Sequence, residues 1–331
     1  MTAPRAMSVS APGKLFLLGE YAVLAGGPAL VTTVERFVHV HPRDDDEGYE
    51  LCGISISDPL RLPLMVRLVL YDEEGFYADV NRLSADVSEF FEEGTKLGLG
   101  SSAASTVALV TSVAPHLSRR RRFELAHQVH RRFQGGTGSG ADIAASTFGG
   151  TLAYHLHPDA RPAPFRDLDL RGITNPEDPI HTDVATLDPS LELPDELRID
   201  AVWTGESAHS VSFVDAVAKA LSRDDRAISA ILANIASRAR MGIHALRQSD
   251  AEAFIEAIQK GDRAMEQLGA TTGLPIITDT HRRIRALART THAVAKPSGA
   301  GGGDFTLLVG PAGAPIPRPI EDDYLVIPVH G

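Results

Sequence analysis

Nine residues, Lys96-Leu97-Gly98-Leu99-Gly100-Ser101-Ser102-Ala103-Ala104, limit what this chain can fold into more than any other stretch. Two glycines permit positive φ or close approach to the backbone. Two serines add hydroxyls beside main-chain amides, and an alanine-rich apolar pattern begins at once. Ala103, Val107, Val110 and Ala114 recur at helical spacing, so the segment predicts a loop opening onto a helix that Pro115 ends or bends. The first amides of such a helix have no partners within it and attract anions. The segment therefore reads as a phosphate cradle, with a purely structural small-residue turn as the alternative. Neither common nucleotide signature is present: no Gly-Lys-Ser follows the loop, and no Gly-x-Gly-x-x-Gly precedes a ribose-binding acid.

Around this loop the pattern is mixed. Leu15 to Leu18, Ala29 to Val31 and Phe37 to Val40 read as strands, with a Gly26-Gly27-Pro28 turn. The region from His41 to Tyr77, including Leu68-Val69-Leu70-Tyr71, fits either hairpins or an irregular wall. Phe123, Ala126, Val129 and Phe133 predict a second helix ended by Gly135-Gly136, and a third starts at Ala141-Asp142-Ile143 after the small-residue loop 137–140. Pro158 to Pro194 holds seven prolines with little periodicity, which places a domain boundary near residue 180. Ile228 to Leu246 traces a long amphipathic helix, Ser249 and Glu252 suggest a capping box for the next, and another runs from about Thr280 to Arg289. The glycine-rich loop from Pro297 to Gly303 then feeds the strand-like Phe305 to Val309.

Composition narrows the function. The 331 residues suggest two domains, and a formal charge of −11 argues against a nucleic-acid surface, so an anionic ligand would need a local cluster of cations and amides. The tract Arg119 to Arg122 is a candidate for anion recruitment or simply a solvated helix start. Cys52 is the only cysteine, which rules out an intrachain disulfide, and the thirteen histidines show no metal-ligand spacing. His127 and His130 lie three apart and read as polar helix or substrate-wall residues. With a short polar start and no long apolar run, the default expectation is a cytoplasmic protein with no membrane or nucleic-acid partner, as a monomer or homodimer.

Two further residues carry chemistry. Lys14, at the edge of the first strand, can hold phosphate charge or lower the pKa of an acceptor hydroxyl. Asp142, in the first turn of a helix, can orient or deprotonate a nucleophile, or merely cap its helix. Ser102 is favoured over Ser101 for proximity to a metal ion.

Three segments together resemble the signatures of the galactokinase, homoserine kinase, mevalonate kinase and phosphomevalonate kinase (GHMP kinase) superfamily. They are Ala11-Pro12-Gly13-Lys14 through Gly19-Glu20-Tyr21-Ala22-Val23, Gly98 to Ala104, and Ser298-Gly299-Ala300-Gly301-Gly302-Gly303-Asp304. Within it the chain most resembles the phosphomevalonate kinases, through Gly19-Glu20-Tyr21, Ala126-His127, Gln134-Gly135, Gly138 to Asp142, Trp203-Thr204-Gly205 and Gly303-Asp304. The resemblance implies an α+β fold with a ribosomal-protein-S5-domain-2-like N-terminal ATP-binding domain (1–180) and a ferredoxin-like C-terminal substrate-binding domain (181–331). It implies ATP and Mg2+, with Gly98, Leu99, Gly100, Ser101, Ser102 and Ala103 on the nucleotide and Ser102 at the metal. Lys14 and Asp142 become the catalytic pair. Lys14, Glu20, Tyr21, Ser139, Gly140, Gly301, Gly302 and Asp304 become acceptor contacts, with Arg131, Arg132, Arg289, Lys296, Ser207, His209 and Ser210 as further candidates. One departure stands out: mevalonate kinases use a helix glutamate near magnesium, whereas the Phe123 to Phe133 segment offers only Glu124. The implied reaction is γ-phosphoryl transfer to a small anionic acceptor, 5-phosphomevalonate. A mevalonate kinase and a non-catalytic ligand-binding regulator on the same scaffold are the alternatives.

Overall fold

The computed structural model describes residues 5–44, 48–52, 60–170, 172, 179–208 and 210–331. Packing divides the chain into two compact units, Met1–Lys14 with Thr33–Gly149, and Leu15–Thr32 with Gly150–Gly331. The α+β class is as expected. The division near residue 180 follows composition, whereas the packing division crosses at residues 14–15, 32–33 and 149–150. Two paired strands, β1 (Val9–Leu18) and β2 (Pro28–Pro42), each contribute residues to both units. The two short apolar runs expected around Ala29 and Phe37 are thus one continuous strand.

In the first unit, β3 (Glu50–Cys52) and α1 (Arg61–Glu74) lead to β4 (Leu83–Asp86). This strand pairs antiparallel with the far end of β2, His39 opposite Asp86, and parallel with β3. The leucine-rich piece around Leu68 is helical. α1 buries Pro63, Val66, Val69 and Leu70 on one side, and Pro63 stands in the first turn, where its missing amide costs no helical hydrogen bond. A ribbon of β5 (Phe91–Glu92) and β6 (Thr95–Lys96) then delivers the chain to the glycine loop. α2 (Ser101–Val113) follows and is buried everywhere except Ser102 and Thr111, which is why its residues are small or apolar all round. It packs against α1, α3 (Arg119–Phe133) and α4 (Ala141–Phe148).

In the second unit, the near end of β2 pairs antiparallel with β7 (Thr151–Leu156), Pro28 opposite His155. The proline-rich stretch supplies β8 (Ile180–His181) and β9 (Ala185–Leu191), which extend this sheet beyond β7. A second sheet follows from β10 (Leu197–Trp203), after which come α5 (Ser210–Arg223), α6 (Asp225–Arg247), α7 (Ala251–Thr272), α8 (Asp279–Ala288), β11 (Val294–Pro297), β12 (Phe305–Pro311), α9 (Arg318–Asp323) and β13 (Val326–His330). Its antiparallel order is β11-β12-β10-β13, and Val202, Ala295 and Leu308 pack with Ile284, Ala288 and Ile320 of α8 and α9. α7 is capped by Asp250, whose side chain accepts from the Ala253 amide at 2.9 Å; Ser249, the expected cap, has φ 49°. The second unit also fixes the end of β1. Gly242 of α6 and Gly261 of α7 face the two methyls of Leu18, and a Cβ at either glycine would lie 2.5 Å from one of them. Among the described residues no helix is long and apolar enough to cross a membrane.

Candidate active site

The glycine loop is built as a cradle. Gly100 occupies the N-cap of α2 with φ 83°, a left-handed conformation that side chains resist, and offers no side chain to cap the helix. The first turn of α2 carries no acidic residue either. Its amides are therefore left for an anion from outside the helix. Lys14 lies directly across this end. Its amide donates to the Leu99 carbonyl at 2.9 Å, and its aliphatic stem runs so close to Gly100 that a Cβ there would sit 3.2 Å from Lys14 Cε. The same segment is tied to α4, since Ser146 Oγ donates to the Pro12 carbonyl at 2.8 Å. The loop, the lysine and the helix bearing Asp142 thus belong to one packed assembly in the first unit.

Asp142 sits in the first turn of α4, behind Gly140 at φ 81°, and is half-buried. Its Oδ1 accepts from the Ile143 amide at 2.9 Å, and Ser139 Oγ accepts from the Ala141 amide at 3.3 Å. Its charge reaches two buried histidines of α3. Desolvation pushes the His127 pKa down to about 4, helped by Arg131 and opposed by Asp142. Desolvation also lowers that of His130, again against Asp142. Both shifts favour the neutral ring. His130 Nε2 lies 3.1 Å from Ser102 Oγ, a contact between α3 and the loop helix.

Could these residues hold the nucleotide and metal that the resemblance implies? The uncapped α2 terminus beside a lysine fits polyphosphate. Among the described residues, no group of three or more His, Cys, Asp or Glu side chains could hold a metal ion. Were magnesium to arrive with the nucleotide phosphates, Ser102 would be the protein oxygen beside it, since Mg2+ commonly takes only one or two protein ligands in such sites. Glu124 is not among them. It is buried and pairs with Arg120 at 3.0 Å and Arg121 at 3.4 Å.

The second unit gathers the other motif residues differently. Glu20, 3% exposed, forms an ion pair with Lys296, which is 1% exposed and also donates to the Pro297 carbonyl at 2.8 Å. Tyr21, at the strained φ of 60°, donates its hydroxyl to the Ala300 carbonyl at 2.6 Å, and burial raises its pKa far above the usual phenol value. Ser298 Oγ accepts from the Phe16 amide at 2.9 Å. Asp304 Oδ1 accepts from the Ala208 amide at 2.9 Å, while Gly301 and Gly302 run against Ile276 and Phe213. Glu20, Tyr21 and Asp304 are thus engaged in internal contacts, and Lys296 is a buried ion-pair partner. Further along, Asp262 pairs with Arg285 at 2.7 Å, yet burial raises its pKa to about 6.

Other sequence candidates are scattered. Arg132 pairs with Asp72, Ser207 and Ser210 are exposed, and Arg289 is exposed at the end of α8. His209 lies outside the described residues. Arg121 is absorbed by Glu73, Glu74 and Glu124, which leaves the basic tract less charge to offer a ligand. The packing of His130 against the loop helix was not legible in the sequence. Its three-residue spacing from His127 was visible, but not the contact with Ser102.

A glycine-cradled helix terminus with a lysine across it is the equipment of a phosphate-handling protein. Residues 85–150, which hold the loop and Asp142, match the family model for the GHMP kinases N terminal domain. The chain is 31% identical to a phosphomevalonate kinase from Streptomyces sp. (strain CL190), over 92% of its own length and 89% of that protein. It is 30% identical to a mevalonate kinase from Aeropyrum pernix, over 90% and 87%. Its fold superposes on a Lin0012 protein from Listeria innocua with TM-score 0.80 and 23% identity, covering 98% and 97% of the two chains. The chain belongs to the GHMP kinase superfamily.

Proposed function

We propose that the protein transfers the γ-phosphoryl group of ATP to the phosphate of 5-phosphomevalonate, giving 5-diphosphomevalonate and ADP. The observation that carries the phosphoryl-transfer reading is the uncapped N-terminus of α2, with Gly100 left-handed and Lys14 lying across it. The acceptor choice rests on the Streptomyces relative and on Gly19-Glu20-Tyr21 and Gly138 to Asp142.

In this reading the amides from Gly98 to Ser102, with Ala103, hold the nucleotide phosphates, and Lys14 balances charge as it shifts from the γ-phosphoryl group toward ADP. An acceptor phosphate oxygen forms the new bond to the γ-phosphorus while the bond from that phosphorus to the β,γ-bridging oxygen breaks. Because a phosphate monoester is mostly a dianion at pH 7, with its second pKa near ~6, no strong base is needed. Asp142 accordingly aligns the acceptor and Lys14. Magnesium, when bound with the nucleotide, would supply further charge neutralisation beside Ser102.

The 30% identity to the Aeropyrum mevalonate kinase supports a second reading, in which the acceptor is the mevalonate hydroxyl and Asp142 removes its proton. A magnesium-dependent assay with mevalonate, 5-phosphomevalonate and 5-diphosphomevalonate, following ADP, phosphorylated product and carbon dioxide, separates them. Preferred turnover of 5-phosphomevalonate is expected. Preferred turnover of mevalonate would replace the acceptor, carbon dioxide release would make the protein a decarboxylase, and ATP binding without product would make it a regulator.

A further inference from the structure

The helix that faces the loop poses a specific question: what orients Ser102 when the only carboxylate of α3 is spent elsewhere? Glu124 is held by Arg120 and Arg121 near the start of that helix. Nearly two turns later His130 presents Nε2 to Ser102 Oγ at 3.1 Å, with 2% of the residue exposed. The backbone of Ser102 is pinned as well, because Thr106 Oγ1 donates to its carbonyl at 2.7 Å. A serine hydroxyl has one proton and two lone pairs. If that proton goes to a neutral imidazole nitrogen, both lone pairs stay available for an electropositive ligand. The reverse arrangement, with Nε2–H as donor, would consume one.

Resting on the phosphoryl-transfer reading above, we propose that His130 is a positioning residue that accepts the Ser102 hydroxyl proton and so keeps the Ser102 oxygen aimed at magnesium nucleotide. Removing an outer partner of this kind typically costs about ten- to hundredfold in metal affinity or activity.

The test is a double-mutant cycle on the full-length protein with His130→Leu, Ser102→Ala and their combination. The readouts are binding of a non-hydrolysable ATP analogue with and without magnesium, steady-state kinetics, and thermal unfolding. His130→Leu should weaken magnesium-dependent analogue binding about tenfold or more and lower kcat, while magnesium-free binding changes by less than about twofold. In the Ser102→Ala background, the same change should add less than about twofold. His130→Gln, whose amide can accept the same hydrogen bond, should recover most of the binding, and serves as the decisive variant should His130→Leu fail to fold. Full additivity of the two substitutions would overturn the proposal, as would equal losses with and without magnesium or a loss confined to thermal stability. A wild-type chain that binds magnesium analogue but phosphorylates neither acceptor overturns the kinase reading alone, because the binding cycle still decides the role of His130. One that binds no magnesium analogue overturns both.

Discussion

Lys14 in the first unit and Lys296 in the second both stand among proline, glycine and small residues, yet they meet opposite surroundings. Lys14 is half-buried and lies across a helix terminus with no side-chain cap. Lys296 is enclosed, with Glu20 and the Pro297 carbonyl on its ammonium group. A charge beside a helix terminus that no side chain caps is suited to bind an anion from outside. A charge neutralised within the interior holds the chain in place, and its removal leaves its partner buried and uncompensated. Motif membership alone does not separate these uses; burial and the neighbouring helix terminus do. In the proposed reading the first unit carries the chemistry, while the Glu20–Lys296 pair braces the turn after β1 against β11.

The contrast is broken most easily at the brace. Glu20→Leu should cost about 3–5 kcal/mol in urea unfolding by stranding Lys296, whereas adding Lys296→Met should restore much of the loss. Equal stability of the single variant and wild type would mean that the pair braces nothing. Next in size, Asp142→Asn should lower kcat about a hundredfold with an unchanged urea midpoint, and a parallel drop in stability would move Asp142 to the structural side.

Titration sharpens the comparison further, since the two units hold groups of opposite sign. The folded pKa of His127, about 4, lies below its unfolded value, so its contribution is present above about pH 6.5 and fades as pH falls toward 4. The raised pKa of Asp262, about 6, works the other way: its contribution is present below about pH 4 and is lost as pH rises through 6. Between pH 7 and 5, His127 should cost about 2 kcal/mol and Asp262 return about 1 kcal/mol. His127→Gln should flatten the acid limb of a stability–pH curve and Asp262→Asn should steepen it; unchanged curves would remove both assignments. The smallest effect belongs to Tyr21→Phe, which gives up one hydrogen bond to Ala300 and should cost about 1 kcal/mol with kcat retained.

Much of this was legible in the sequence where the signal is local. The apolar spacing of α2, α3 and α6 gave those helices, and Gly98 to Ser102 gave the cradle. α1 was obscured by Pro63 and a Leu/Val-rich run that suits a strand as well as a helix. Long-range partners left no local trace: Glu20 meets Lys296 across 276 positions, and Ser102 meets His130 across 28. Lys296 consequently stood among the acceptor candidates with no sign of the buried pair it forms, and the arginine partners of Glu124 were equally invisible. Single-residue choices were also beyond pattern reading, as with Asp250 displacing Ser249 at the cap of α7.

The most direct measurement sets Lys14→Met beside Lys296→Met, following single-turnover γ-phosphoryl transfer and urea unfolding on the same preparations. Lys14→Met should lose transfer about a hundredfold or more while unfolding at the wild-type midpoint, and Lys296→Met should unfold earlier while its folded fraction transfers at close to the wild-type rate. Near-normal transfer by Lys14→Met, or loss of transfer by fully folded Lys296→Met, would contradict the assignment of chemistry to one lysine and bracing to the other.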